Sequence, residues 1–197
     1  MQNKEQLKTL LFVVVAGLFV GAASLAHFVS KPQPIEGFEK EGVLFYPDFN
    51  NPNSAISLEV VAFNSNKEGL ETRIKMFVIK QENGVWVIPP YNFPAEAKVR
   101  LAKTAASMIG IKRGALVSRL KSDQEKYQVG DPLQFDANTL PLESLGNRIT
   151  LKGKGEAVLT DMIIGKEHPV RKGLYYVRHP HEDAIWLSQL NIDISTK

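Results

Sequence analysis

Twenty-one consecutive residues, Thr9 to Val29, contain no Asp, Glu, Lys or Arg, and sixteen of them are apolar. No other stretch limits the fold so tightly. As a helix rising about 1.5 Å per residue it reaches roughly 31 Å, the thickness of a bilayer core, and it has no polar face to turn toward water. Lys4 and Lys8 precede it, and Lys31, Pro32 and Pro34 follow. That flank predicts a cytoplasmic tail (residues 1–8), a transmembrane helix (9–29), a Pro/Gly/charge linker (30–42) and an extracytoplasmic domain (43–197) at the inner membrane. Cleavage at Ser24-Leu25-Ala26, as in a signal peptide, is the competing reading. Gly17 and Gly21 form a GxxxG pair, which predicts close packing of two anchor helices.

The remainder is long enough for one core. Ser54–Phe63 alternates with period two and reads as a strand. Thr72–Glu82 and Val85–Ile88 flank Asn83-Gly84, the dipeptide of a type I′ hairpin. Pro94–Ile109 reads as the main helix, with Asn92 as cap, Gly110 as stop, and a stripe of Ala95, Val99, Ala102, Ala106 and Ile109 widened by Leu101, Ala105 and Met108. Glu96 and Arg100 form a supporting pair on its other side. Gly114–Leu120 reads as a strand and Ser122 as the cap of a short helix. Arg148–Leu151, Ala157–Ile164, Leu174–Val177 and Ala184–Leu187 follow as strands. The expected fold is therefore α+β, an antiparallel sheet with one main helix packed on it behind the transmembrane helix.

The chemistry is sparse. The chain has no cysteine, which excludes disulfides, thiolate nucleophiles and cysteine metal sites. No G-x-S-x-G, P-loop or dinucleotide fingerprint occurs, so neither an enzyme nor a cofactor is expected. The one metal-ligating lead is His179-Pro180-His181, with His168 in the preceding turn. Net charge is only +3, but eight basic residues stand against three acidic ones between Glu96 and Lys126. Lys98, Arg100, Lys103, Lys112 and Arg113 are accordingly the candidate partner-binding residues, forming a basic face for an acidic protein or for an anionic glycan or lipid. Nucleic acid is not an expected partner for a domain outside the cytoplasm.

The block VWVIPPYNFPAEAKVRLAKTAASMIGIKRGALVS from Val85, followed by Tyr127-x-Val129-Gly130-Asp131-Pro132, resembles a bacterial family known as a domain of unknown function (family forty-three-forty), most closely its planctomycete members. The pattern continues through Ile149-Thr150-Leu151, Ile163-Ile164-Gly165-Lys166 and Leu174-Tyr175-Tyr176-Val177-Arg178. The resemblance implies a single-span envelope protein encoded near ABC-type exporters. It carries no catalytic or cofactor residues. Members continue past Leu190–Lys197 with an acidic, Trp-containing segment, so the chain is expected to be part of a longer pattern. Together these readings predict a non-enzymatic accessory or scaffold subunit of an envelope or ABC-type transport assembly. An anionic glycan or lipid binder is the second reading, and a metal-dependent hydrolase built on His168, His179 and His181 the third.

Overall fold

The computed structural model describes residues 2–29, 40–64, 73–95, 98–136 and 141–191. Residues 30–39 of the expected linker (30–42), the Glu96–Arg100 pair and the stretch 192–197 lie outside the described residues or side chains. The chain divides into two units, Met1–Glu39 and Lys40–Lys197.

In the first unit the uncharged run is helical, as α1 (Gln2–Val29). The transmembrane expectation does not survive. Among the described residues no helix is long and apolar enough to cross a membrane. Gly17 and Gly21 fall one turn apart on α1, and a Cβ on either would meet no other atom within 4 Å.

The second unit is built on one antiparallel sheet. Its strands among the described residues are β1 (Ser57–Asn64), β2 (Arg73–Glu82), β3 (Val85–Ile88), β4 (Phe93–Pro94), β5 (Ala115–Ser118), β6 (Asn147–Lys152), β7 (Val158–Glu167), β8 (Leu174–Arg178) and β9 (Ile185–Gln189). Their order across the sheet is β4-β3-β2-β1-β6-β7-β8-β9-β5. Two further α-helices, α2 (Lys98–Met108) and α3 (Asp123–Tyr127), and four short 3-10 turns accompany it. The α+β expectation is thereby corrected to a mostly antiparallel sheet protein with three α-helices among the described residues. The helices of this unit are too short to form a layer equal to the sheet.

Local chemistry accounts for the strand connections. Asn83 and Gly84 both adopt positive φ, 50° and 82°, so β2 returns as β3 with Glu82 opposite Val85. Two pairings are not sequential: β1 lies beside β6, and β5 runs along β9 at the far edge, Leu116 opposite Trp186, although three strands separate those two in sequence order.

Successive residues of a strand face opposite sides, so the register defines two surfaces. On one, Leu58 and Val60 of β1 meet Leu151 and Ile149 of β6, and the layer continues through Met162, Ile164, Val177 and Trp186. α2 covers this core with Leu101, Ala105 and Met108. The alanine-centred stripe is therefore the wrong face, since Val99 is 80% exposed. Both stripes fit the helical period, and the one carrying Leu101 and Met108 removes more apolar area from water. Nor does Asn92 cap the helix. It sits at positive φ before β4, and its amide donates to Glu82 at 3.0 Å. Gly110, at φ +80°, follows the end of α2 as expected.

The other surface holds a smaller cluster of Val129, Ile163, Tyr176 and Ile185, with Val117, Tyr127 and Leu187 against it. Gly165 of β7 lets the covering segment lie close. A Cβ there would run into the backbone carbonyl oxygens of Tyr127 and Gln128.

Candidate functional site

The second surface of the sheet is where charge enters the interior. Register places Val61, Arg148, Ile163, Arg178 and Ile185 side by side across β1, β6, β7, β8 and β9, with Thr150 and Asp161 in the neighbouring row. Two arginines and an aspartate thus occupy positions that pack against protein rather than water, and each needs partners there.

Arg148 takes two carboxylates. Its Nε and Nη2 donate to the two oxygens of Asp161 at 2.9 and 2.7 Å, and Nη1 donates to Asp131 Oδ2 at 2.9 Å and Oδ1 at 3.2 Å. Such forked, charge-assisted pairs are among the stronger hydrogen bonds. Hydrogen bonding to Asp161 raises the Arg148 guanidinium above its ordinary value, against the effect of burial. Asp161 Oδ1 also accepts from Thr150 Oγ1 at 3.1 Å. Asp131 accepts from the backbone N–H of Leu133 at 3.0 Å, starting the single turn Pro132–Gln134.

Arg178 is 4% exposed, and among the described residues it has no carboxylate in ion-pair contact. Its Nε donates to the Val129 carbonyl at 3.0 Å, and Nη1 donates to the carbonyls of Pro180, Glu182 and His179 at 3.0, 3.2 and 3.3 Å. Burial pushes this guanidinium below its ordinary value, while Asp131 and Asp183 act in the opposite direction from nearby. One side chain therefore ties β8, the residues after α3 and the β8–β9 loop together. Gln124 of α3 adds a second tie, donating to Asp183 Oδ1 at 3.1 Å.

Between α3 and the β8–β9 loop these groups line a cleft of about 510 Å³, with Lys121, Gln124, Glu125, Asp131, Arg178 and Asp183 on its walls. Its walls carry donors and acceptors of both signs.

The expected sites fare unevenly. His168 and His179 lie beyond opposite ends of β8, roughly 17 Å apart along five strand residues. His168 Nδ1 accepts from the N–H groups of Val170 and Arg171, at 3.2 and 3.1 Å. His179 and His181 are close, with ring centroids 5.5 Å apart, but Nδ1 of His179 accepts from the His181 N–H at 3.3 Å. Among the described residues no group of three or more His, Asp or Glu side chains is placed to hold a metal ion. The three-histidine arrangement is accordingly not assembled.

Of the basic candidates, Lys103 and Lys112 are exposed. The side chains of Lys98 and Arg100 are outside those described. Arg113 is turned inward. Its guanidinium stacks 4.6 Å from the Phe45 ring centroid and donates to the Leu44 carbonyl at 2.9 Å, so it serves the fold. Ser122 makes no capping hydrogen bond. Ser118, four residues earlier, donates to Asp123 instead, at 2.5 Å.

The Asp131–Arg148–Asp161 network and Arg178 escaped the sequence reading. Their signal was present as charged residues placed before apolar runs inside strands, Asp161 in Val158–Glu167 and Arg148 in Asn147–Lys152. A charge at such a position has to find a partner or stay neutral.

His179 has a consequence for stability. Burial lowers its imidazole below the ordinary 6.5, so between that lowered value and 6.5 the unfolded chain binds more protons than the folded one. Stability should fall as pH drops from about 7.5 to 5. Thermal unfolding across that range should show the decline, and His179→Gln should flatten it. An identical slope in the variant would remove His179 as its source.

No curated protein and no solved structure matches the chain. The family model described as Domain of unknown function (DUF4340) matches residues 86–197, from Trp86 on β3 onward, and takes in every wall of the cleft. With more than half of its length matched, the chain belongs to that family.

Proposed function

We propose that the domain is a non-enzymatic accessory or scaffold subunit of an envelope or ABC-type transport assembly, and that it meets an acidic partner through the segment running from α2 to α3. The kind of assembly rests on the family resemblance. The surface rests on one observation. From Leu101 to Tyr127, the exposed charged side chains are Lys103, Lys112, Arg119, Lys121 and Lys126 against Glu125 alone. An excess of one sign raises the rate and selectivity of encounter with the opposite sign.

The nearest acidic neighbours do not cancel this excess. Asp123 is engaged by Ser118, and hydrogen bonding to Tyr127 holds the Lys126 ammonium above its ordinary value. Arg113 is left out of the surface because its guanidinium packs on Phe45.

The test is co-purification of the full tagged chain from the cells that make it, followed by quantitative mass spectrometry. ABC-type subunits are expected in stoichiometric amounts. Glutamate at Lys103, Lys112, Arg119, Lys121 and Lys126 together should cut their recovery by at least about tenfold, with unfolding unchanged. Equal recovery by that variant would sink the basic-face reading. A chain that comes out alone, but is retained salt-sensitively on anionic glycan or lipid, would replace the protein partner with a polymer or headgroup.

A further inference from the structure

We propose that the cleft between α3 and the β8–β9 loop binds a small zwitterion, an α-amino acid or dipeptide, with its carboxylate on Arg178 and its ammonium group on Asp183.

The argument starts from which hydrogen-bonding capacity the fold has already used. Arg178 spends Nε and Nη1 on four backbone carbonyls, while Nη2 donates to none of the described residues. Asp131 is not the missing acceptor: its oxygens receive Arg148 and the Leu133 N–H, and among the described residues no hydrogen bond joins it to Arg178. Asp183 uses Oδ1 for Gln124, and its Oδ2 accepts from no described residue. The guanidinium of Arg178, a residue only 4% exposed, and a carboxylate oxygen of the exposed Asp183 therefore line the same cleft without being joined as an ion pair.

Charge then selects the ligand. A simple anion drawn to Arg178 and Lys121 would be repelled by Asp183 and Glu125, and a simple cation would meet the reverse. A molecule carrying both signs a few ångströms apart satisfies both pairs at once, through charge-assisted hydrogen bonds. The cleft, about 510 Å³, falls in the size range of small-molecule sites and exceeds a single amino acid, leaving room for a dipeptide. Arg178 is also a rigid anchor. Its carbonyl partners hold the guanidinium in place before any ligand arrives, so little ordering is lost on binding.

The experiment is a titration of the isotope-labelled full chain with L-alanyl-L-alanine, followed by nuclear magnetic resonance of the backbone amides. Saturable shifts are expected over residues 121–125 and 178–183. N-acetyl-alanyl-alanine lacks the ammonium group and alanyl-alanine amide lacks the carboxylate, and each should bind at least about tenfold more weakly. Asp183→Asn should lose the preference for the free amine while keeping that for the free carboxylate. Arg178→Lys, if it unfolds like the parent, should do the opposite. Free alanine distinguishes the source: affinity equal to that of the dipeptide supports a free amino acid, and weaker affinity supports a peptide. Absence of saturation up to about 10 mM dipeptide, or equal binding of the blocked peptides, would overturn the proposal. Lys121 belongs to both surfaces, but Arg178 and Asp183 lie outside the basic one, so the Arg178 and Asp183 variants test the cleft alone and their failure leaves the partner-binding reading standing.

Discussion

Arg148→Met is expected to destabilise the second unit by about 3–5 kcal/mol, read as a lower urea midpoint with an unchanged slope. The size follows from what is left behind. Asp131 and Asp161 have side chains only 6% and 8% exposed, and Arg148 is the one cation in contact with either among the described residues. Removing it strands two carboxylates in a place where water cannot replace the guanidinium. The intact network is a different quantity, since desolvating three charges offsets much of their attraction. A second variant separates these effects. Adding Asp131→Asn and Asp161→Asn to Arg148→Met should restore at least about half of the loss, because the orphaned charges disappear with their partner. If the triple variant is no better than the single one, lost packing of the arginine stem carries the cost. A single-variant loss below about 1 kcal/mol would place the network with screened surface pairs.

Trp186→Ala should cost a comparable amount, about 3–5 kcal/mol. Trp186 is 1% exposed on β9, between Val177 of β8 and Leu116 of the edge strand β5. Its truncation opens a cavity where that edge strand joins the main core, and the backbone hydrogen bonds on either side limit collapse. The indole Nε1 finds no acceptor among the described residues. Trp186→Phe should therefore be mild, under about 1.5 kcal/mol, since losing ring area is partly offset by removing an unsatisfied donor. Denaturation of both variants checks the pair. Equal costs would show that the indole is held by more than its apolar surface.

How much was legible in the sequence depended on the range of the interaction. The Asn83-Gly84 turn is decided by two residues that tolerate positive φ, and it appears where the dipeptide predicts. Strands β6 to β9 fall on short runs of five to ten residues separated by turns, as expected. The main helix was legible but its inner face was not, because periodicity fits two neighbouring stripes and only the core opposite determines which is buried. The uncharged run over 9–29 predicted helix correctly, while among the described residues no helix is both long and apolar enough to cross a membrane.

By itself, the sequence determined the strands other than β4, whose Pro94 read as the start of the main helix, together with the hairpin, the existence of α2 and membership of the family, all carried by residues near one another in the chain. Tertiary structure alone decided that β5 joins β9, that Arg113 turns inward, and that His168 stays apart from His179 and His181. It also decided the polar cleft. Arg148 meets residues 13 and 17 positions away, Arg178 meets one 49 away, and Gln124 meets one 59 away. Those encounters depend on strand register and on how the covering segment crosses the sheet, and a one-residue slip would turn each of these side chains to the other face.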